Sequence, residues 1–225
     1  MYDGTFWAQM PVGVRRGLMQ CGHERAFRSN EAFLCRGDKA DKVLILRLGW
    51  ARVVAYPSPG TSLVVHATCE GDLCGEYEAL NSGRYGYDYV AGGDGVTVLS
   101  VPVRAFSGMC LKYPGALMAV LQLTANRLKQ SEQLRATNDI RTRTAIVLRM
   151  LCARFGLVLN DVQTEIRLTG FTRDDLAALA NTSARSLDRA ISYLYAQGIL
   201  LEARGVFIVD RRALWDFVGE YLPLG

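Results

Sequence analysis

Residues 172–198 read TRDDLAALANTSARSLDRAISYLYAQG, and their pattern decides how the C-terminal half of the chain is organised. Thr172 stands as a helix cap ahead of Asp174 and Asp175, acids that suit the positive end of a helix dipole. The helix so begun, 174–180, turns Leu176, Ala177, Leu179 and Ala180 inward. It stops at Asn181, a residue that tolerates the left-handed conformation. Thr182 or Ser183 caps the next helix, which runs to Gln197 and ends at Gly198. Its apolar set is Leu187, Ala190, Ile191 and Leu194, the i, i+3, i+4, i+7 spacing of a half-buried helix. The opposite face carries Ser183, Arg185, Ser186 and Arg189, mostly near the N-terminal end. Two arginines one turn apart suit a DNA major groove, where the dipole favours phosphate and a guanidinium pairs with guanine O6 and N7. Two ordinary amphipathic helices with solvated arginines are the plainer reading. The hairpin that follows, 199–210 around Arg204-Gly205, argues against it. Helix, tight turn, half-basic helix and β-wing in that order make a winged helix–turn–helix.

Upstream, residues 165–168 read as a short strand. The stretch 144–155 reads as a helix with Ile146, Met150 and Ala153 inward and Gly156 as its stop. Between Gly115 and Arg135 lies a longer helix with Leu117, Leu121, Thr124 and Leu128 in a narrow stripe. That stripe either lies on its own domain or forms a dimer seam, and its place between two dissimilar halves favours the seam. Before Pro114 the chain reads as strands, at 43–48, 51–56, 61–68 and 96–101, with turns at 57–60 and 92–95. Short strands at about ten-residue spacing predict a sandwich or barrel. No internal repeat or low-complexity segment interrupts the chain.

The composition sets outer bounds. Of 225 residues half are apolar and 21% are charged, which excludes disorder, collagen and a disulfide miniprotein. The formal charge is +4, with +1 in residues 1–121 and +3 in residues 122–225. Arginine supplies 22 of the 26 basic residues, the side chain suited to bidentate phosphate and guanine contacts, though a GC-rich genome gives the same bias. No apolar run approaches the ~20 residues of a membrane span, and MYDGTFWAQMPVGVRR lacks the pattern of a signal peptide. Six scattered cysteines fit reduced, mostly buried thiols, so a cytoplasmic protein is expected.

The ordered pieces Phe33-x-x-x-Gly37-Asp38-x-x-Asp41, Leu46-x-x-Gly49-x-x-Arg52-Val53 and Gly71-Asp72-x-x-Gly75-Glu76 are followed by Arg84, the long helix, Asp175-Leu-Ala-x-Leu-Ala, Arg189-Ala-Ile-x-x-Leu and Gly198-Ile. In that order and spacing, from about residue 24 to the C-terminus, the chain resembles the cyclic-AMP receptor / fumarate-nitrate regulator (CRP/FNR) superfamily of bacterial transcription factors. The resemblance implies an α+β fold: an N-terminal cyclic-nucleotide-binding β-roll over 1–113, a dimerisation helix over 114–139 and a winged helix–turn–helix over 140–225. It implies a homodimer on a palindromic DNA site, with RNA polymerase a further candidate partner and no membrane. Gly75 and Glu76 then stand where backbone N–H groups meet a cyclic phosphate and a carboxylate meets the ribose. Arg84 stands where a guanidinium pairs with that phosphate. Ser131 stands where a hydroxyl meets the adenine.

The sequence departs from the pattern at informative places. Tyr85 replaces the Ser or Thr that usually follows the arginine, and the run 83–89, GRYGYDY, is a residue longer than usual. Glu132 replaces the next hydroxyl on the long helix. Tyr85 either fills the phosphate position or stacks on a different ligand, and Glu132 repels a phosphate while accepting from a base amine. The pocket is therefore altered. Its candidate effectors are cyclic AMP, cyclic GMP or a cyclic dinucleotide, with no effector as the other reading. At the reading helix, Ala184-Arg185 replaces the usual Arg-Glu while Arg189 is kept. Losing one guanine and one cytosine contact, each worth ~1–3 kcal/mol, predicts a different half-site. Thr172 and Arg173 are expected on the DNA backbone, with Ser183 and Ser186 on bases or phosphates.

Other chemistries fit less well. Cys21 and Cys35 are too far apart for a clustered iron–sulfur motif, so no metal is expected. Cys21-Gly-His23 offers two ligands at most, and His66 reads as a packed strand residue. Cys69 and Cys74 at C-x4-C spacing leave a thiol- or redox-responsive regulator as the alternative on the same fold. Glu76 and Glu78 share a face if they lie in a strand, but no acid–base pair, nucleophile arrangement or phosphate loop indicates an enzyme, and no catalytic residue is expected. A protein-interaction module without DNA binding would lack the basic helix that this chain has.

Overall fold

The computed structural model describes residues 4–81, 83–159, 164–202 and 206–219, in two compact units that divide after Leu128. The first unit opens with α1 (Phe6–Gln9) and α2 (Val12–Cys21), followed by β1 (His23–Phe27), β2 (Ala32–Leu34), β3 (Lys42–Leu48), β4 (Trp50–Ala55), β5 (Leu63–Cys69) and β6 (Leu73–Cys74). Then come α3 (Glu76–Leu80), β7 (Asp88–Ala91), β8 (Val96–Pro102), α4 (Val103–Lys112) and α5 (Pro114–Ala136). Two antiparallel sheets form, ordered β1-β8-β3-β6 and β2-β7-β4-β5.

Both sheets feed one core, with Leu44, Leu46, Val98 and Val101 from the first and Phe33, Val53 and Ala91 from the second. β3 buries Val43, Leu44, Ile45 and Leu46 in succession. A strand loses the usual in–out alternation when both its faces are covered, and α3 and α4 pack against β3 here. The expected sandwich-like assembly of short strands is thus present. Two differences stand out. Residues 103–112 are already helical, because Pro102 ends β8 and the chain turns directly into α4. Glu76 and Glu78 lie in the short helix α3, so the same-face geometry of a strand does not apply to them.

The N-terminal helices carry no strong sequence signal, yet α1 is anchored firmly. Thr5, Phe6 and Trp7 are buried, the Phe6 ring lies 5.7 Å from Phe106, and the Arg47 guanidinium sits 4.2 Å above Trp7. Trp7 N–H donates to the Gly71 carbonyl at 2.9 Å, which ties α1 to the turn just ahead of β6.

The second unit contains the last turns of α5 and then α6 (Ile140–Phe155), β9 (Leu157–Val158), β10 (Glu165–Leu168), α7 (Arg173–Leu179), α8 (Ala184–Ala196), β11 (Leu200–Glu202), β12 (Phe207–Asp210) and α9 (Arg211–Gly219). Its strands form an antiparallel sheet ordered β11-β12-β10-β9. α6 starts four residues before the expected Thr144, because the Asp139 carboxylate accepts from Thr142 N–H at 2.9 Å and caps it there. α7 and α8 fall within one residue of expectation. Asn181 takes a φ of 47° in the turn between them, and Gly198 takes 66° past the end of α8, where a β-carbon is disfavoured. β11 and β12 are the wing strands; the turn at Arg204-Gly205 lies outside the described residues.

Candidate functional site

The sensor-type site is built where β6 runs into α3. Gly75 adopts a φ of 76°, and a β-carbon there would come within 2.6 Å of the Tyr85 ring and 2.8 Å of Leu34. Only glycine fits, on both counts. Tyr85 is buried in that contact and its hydroxyl donates to the Lys42 carbonyl at 2.7 Å. Burial first, with Asp41 and Glu78 nearby, pushes its phenol up to about 12, so it stays protonated. Tyr85 is therefore a packed core residue rather than an exposed stacking platform.

Glu76, also buried, does not wait open. Its Oε1 receives Nη1 of Arg127, from α5, at 2.5 Å, and Arg127 Nη2 donates to the Leu73 carbonyl at 2.7 Å. Burial opposes the guanidinium charge, but Glu76 first and then Asp72 outweigh it and hold Arg127 protonated. Glu76 Oε2 and Arg127 Nε remain buried without a hydrogen-bond partner. Arg84 takes a different course: its guanidinium is exposed and donates to the Gly37 carbonyl at 2.6 Å, beside a backbone bridge to Lys39. Gly75, Glu76 and Tyr85 are thus brought together, while Arg84 is spent on a neighbouring turn. Ser131 is half-buried and Glu132 exposed, both past Leu128 in the second unit.

Arg127 was not singled out from the sequence, although a signal existed. Ala116, Val120, Leu123 and Arg127 form a stripe at spacings of four, three and four, one residue out of step with Leu117, Leu121, Thr124 and Leu128. An arginine closing an apolar stripe indicates a buried partner.

Two of the thiols near the sensor-type site have their ionisation opposed by their surroundings. Cys74 is buried beside Thr68 and burial pushes its thiol well above the usual range. Cys69 is buried with its backbone N–H on Asp72 Oδ2. Exposed Cys35 is also pushed up, by desolvation first and then by Asp38 and Asp88. At Cys74 burial outweighs the nearby Arg127 charge, and at Cys35 desolvation, Asp38 and Asp88 outweigh Lys42, so neither is favoured as a thiolate. Among the described residues no group of three or more His, Cys, Asp and Glu is placed to hold a metal ion.

In the second unit, α8 buries Leu187, Ala190, Ile191 and Leu194 and exposes Arg185, Asp188, Arg189 and Ser192 around a shallow open depression. Ser183 caps the helix, accepting from Ser186 N–H at 3.2 Å, and its hydroxyl donates to Ser186 Oγ. Ala184 follows at the first helical position, exposed. Thr172 is committed to a capping box with Asp175, whose Oδ2 receives its hydroxyl at 2.7 Å and its backbone N–H at 2.8 Å. Arg173 reaches across to Asp188 at 2.6 Å, an ion pair that links α7 to the exposed face of α8. Asp188 is the acid that the sequence reading passed over on this face.

A family model described as a cyclic nucleotide-binding domain matches residues 24–113, and one described as a Crp-like helix-turn-helix domain matches residues 142–217. The chain belongs to the CRP/FNR family of transcription regulators. Solved structures similar to this CRP/FNR-family chain include FixK2 from Bradyrhizobium japonicum, at 20% identity over 87% of this chain and 96% of that one, with a TM-score of 0.72. A CooA variant from Carboxydothermus hydrogenoformans aligns at 16% identity over 90% of each chain, also with a TM-score of 0.72. CLP of Xanthomonas campestris, described as a regulator responsive to cyclic di-GMP, aligns at 17% identity over 89% of this chain and 99% of that one, with a TM-score of 0.68. These structural likenesses support the regulator's fold alone. No curated protein sequence matches the chain. No helix among the described residues is long and apolar enough to cross a membrane.

Proposed function

We propose that this regulator works as a homodimer on a palindromic DNA site, reading bases with Arg185 and Arg189, and that its sensor pocket is altered so that DNA is read without a cyclic nucleotide. The observation that carries the DNA reading is the two-sidedness of α8: a buried apolar face fixes the helix while both arginines stand exposed near its capped N-terminal end. Dimerisation is supported by α5, where Ala116, Ala119, Val120 and Leu123 are buried against the sensor-type core but Leu117, Leu121 and Leu128 are 43%, 55% and 60% exposed. Residues 1–113 would then be the sensor, 114–139 the dimer helix and 140–225 the DNA-binding domain. The cytoplasm, and RNA polymerase as the machinery acted upon, follow for a regulator of this kind.

Ser183 and Ser186 would touch bases or phosphates, and Thr172, whose hydroxyl and backbone N–H are both held by Asp175, would reach the DNA backbone only by giving up part of that capping box. Arg173 would meet phosphate only by sharing itself with Asp188. The altered pocket is supported by groups already engaged inside the protein: Glu76 by Arg127, Arg84 by Gly37, Tyr85 by Lys42. Cyclic AMP, cyclic GMP and a cyclic dinucleotide remain the ligands to try against it. The buried, protonated state of Cys74 weighs against the thiol-responsive alternative.

Selection of binding sites from random duplex DNA tests the reading. It should enrich a two-fold symmetric site whose half-sites lie about one helical turn, ~34–36 Å, apart. Arg185→Ala should then relax preference at one position per half-site, a loss of roughly 1–3 kcal/mol of discrimination. An asymmetric site would contradict the homodimer, and equal weakening on every sequence would contradict base reading by Arg185.

A further inference from the structure

Glu78 is two residues past Glu76 and takes no part in the Arg127 ion pair, yet its side chain is buried to within 7% of full enclosure. Its Oε1 accepts the Gly86 N–H at 3.0 Å, and its backbone carbonyl accepts the Gly83 N–H at 3.1 Å. A β-carbon on Gly86 would stand 3.2 Å from that same Oε1, so the loop lies closely over the carboxylate. Oε2 is buried with no partner, and no cation pairs with Glu78 among the described residues. From its other side the loop is held by backbone bonds from Tyr85 N–H to Asp38 and from Gly37 N–H to Tyr85. Arg84 and Tyr85 lie between the two glycines that Glu78 grips. A backbone N–H facing a carboxylate is a donor already serving an anion, as it would serve a phosphate oxygen. A buried carboxylate oxygen without a partner is costly and calls for an explanation.

We propose that Glu78 is the sensor's built-in anion: its carboxylate occupies the Gly86 N–H and its charge bars phosphate-bearing ligands from the loop that carries Arg84. The assignment rests on the reading of the pocket as altered and names the residue responsible for the exclusion. A like charge a few ångströms from a bound anion, at an effective dielectric of about 20, weakens its binding on the order of a hundredfold.

Cyclic AMP and cyclic GMP titrated into the full chain provide the test, using the wild type, Glu78→Gln and Glu78→Ala, with the unfolding midpoint and DNA affinity recorded for each. Glu78→Gln keeps an acceptor for Gly86 and removes only the charge, so it decides the matter should Glu78→Ala not fold. The expected result is a wild type that binds neither nucleotide and a folded variant that binds one at least about a hundredfold more tightly. Folded variants as silent as the wild type would overturn the role of Glu78 and leave the altered pocket standing. A wild type that binds a cyclic nucleotide as well as the variants do would overturn both.

Discussion

Single residues fix where the DNA-reading unit begins. Asp139 sets the start of α6 by accepting from the Thr142 N–H and hydroxyl at 2.9 and 2.8 Å. Slight desolvation works against its charge, but those bonds and the Arg141 charge outweigh it and hold the carboxyl below its ordinary 3.8. A carboxyl depressed in the folded state stabilises fully above its unfolded value, and that contribution is lost as pH falls through the folded value. Replacing Asp139 with Ala should therefore lower stability by about 1 kcal/mol at neutral pH, as for other helix caps. Unfolding midpoints of the two proteins should stay apart down to pH 3.8 and converge below it. A constant gap across the whole range would mean that the carboxylate charge contributes nothing. This cap was not legible beforehand, because Asp139 precedes Ile-Arg-Thr-Arg, which carries little apolar periodicity. Thr172 and Ser183 were legible, since each stands directly before a strongly patterned helix.

At the scale of elements, α5 carries two stripes one residue out of step. The exposed one, Leu117, Leu121, Thr124 and Leu128 at spacings of four, three and four, is readable from spacing alone. The buried one ends in Arg127, whose meaning depends on Glu76, distant in the sequence by 51 residues. No local pattern conveys such a pairing. The ion pair makes a sharp prediction. Arg127→Met leaves Glu76 buried without its cation and should cost about 3–5 kcal/mol in chemical unfolding. Adding Glu76→Met to it should recover most of that loss, because a well-packed apolar pair is often as stable as a buried ionic one. A double variant no better than the single one would show that Arg127 acts through its bond to the Leu73 carbonyl rather than through Glu76.

For the whole molecule, the sequence already displayed two architectures joined by a long helix, and the family models fall on either side of that helix. Strand alternation and glycine spacing carried the first unit, helix periodicity and capping the second. What remained hidden was the interior of the sensor-type pocket. Tyr85 and Glu132 are the residues from which the sequence suggests an altered pocket, but they do not convey that Glu76, Arg84 and Tyr85 each find partners within the chain. Those partners are backbone carbonyls and one distant guanidinium, which residue identity does not reveal. On the proposed reading, a pocket satisfied from within gives a regulator whose DNA-binding form exists without a small molecule, its output set by how much protein is present. The most direct measurement is the affinity and stoichiometry of nucleotide-stripped protein on its selected DNA, before and after addition of cyclic AMP, cyclic GMP and cyclic di-GMP. The predicted result is two chains per site at an affinity that none of the three changes. A protein that stays off the DNA until one of them is added would contradict the account.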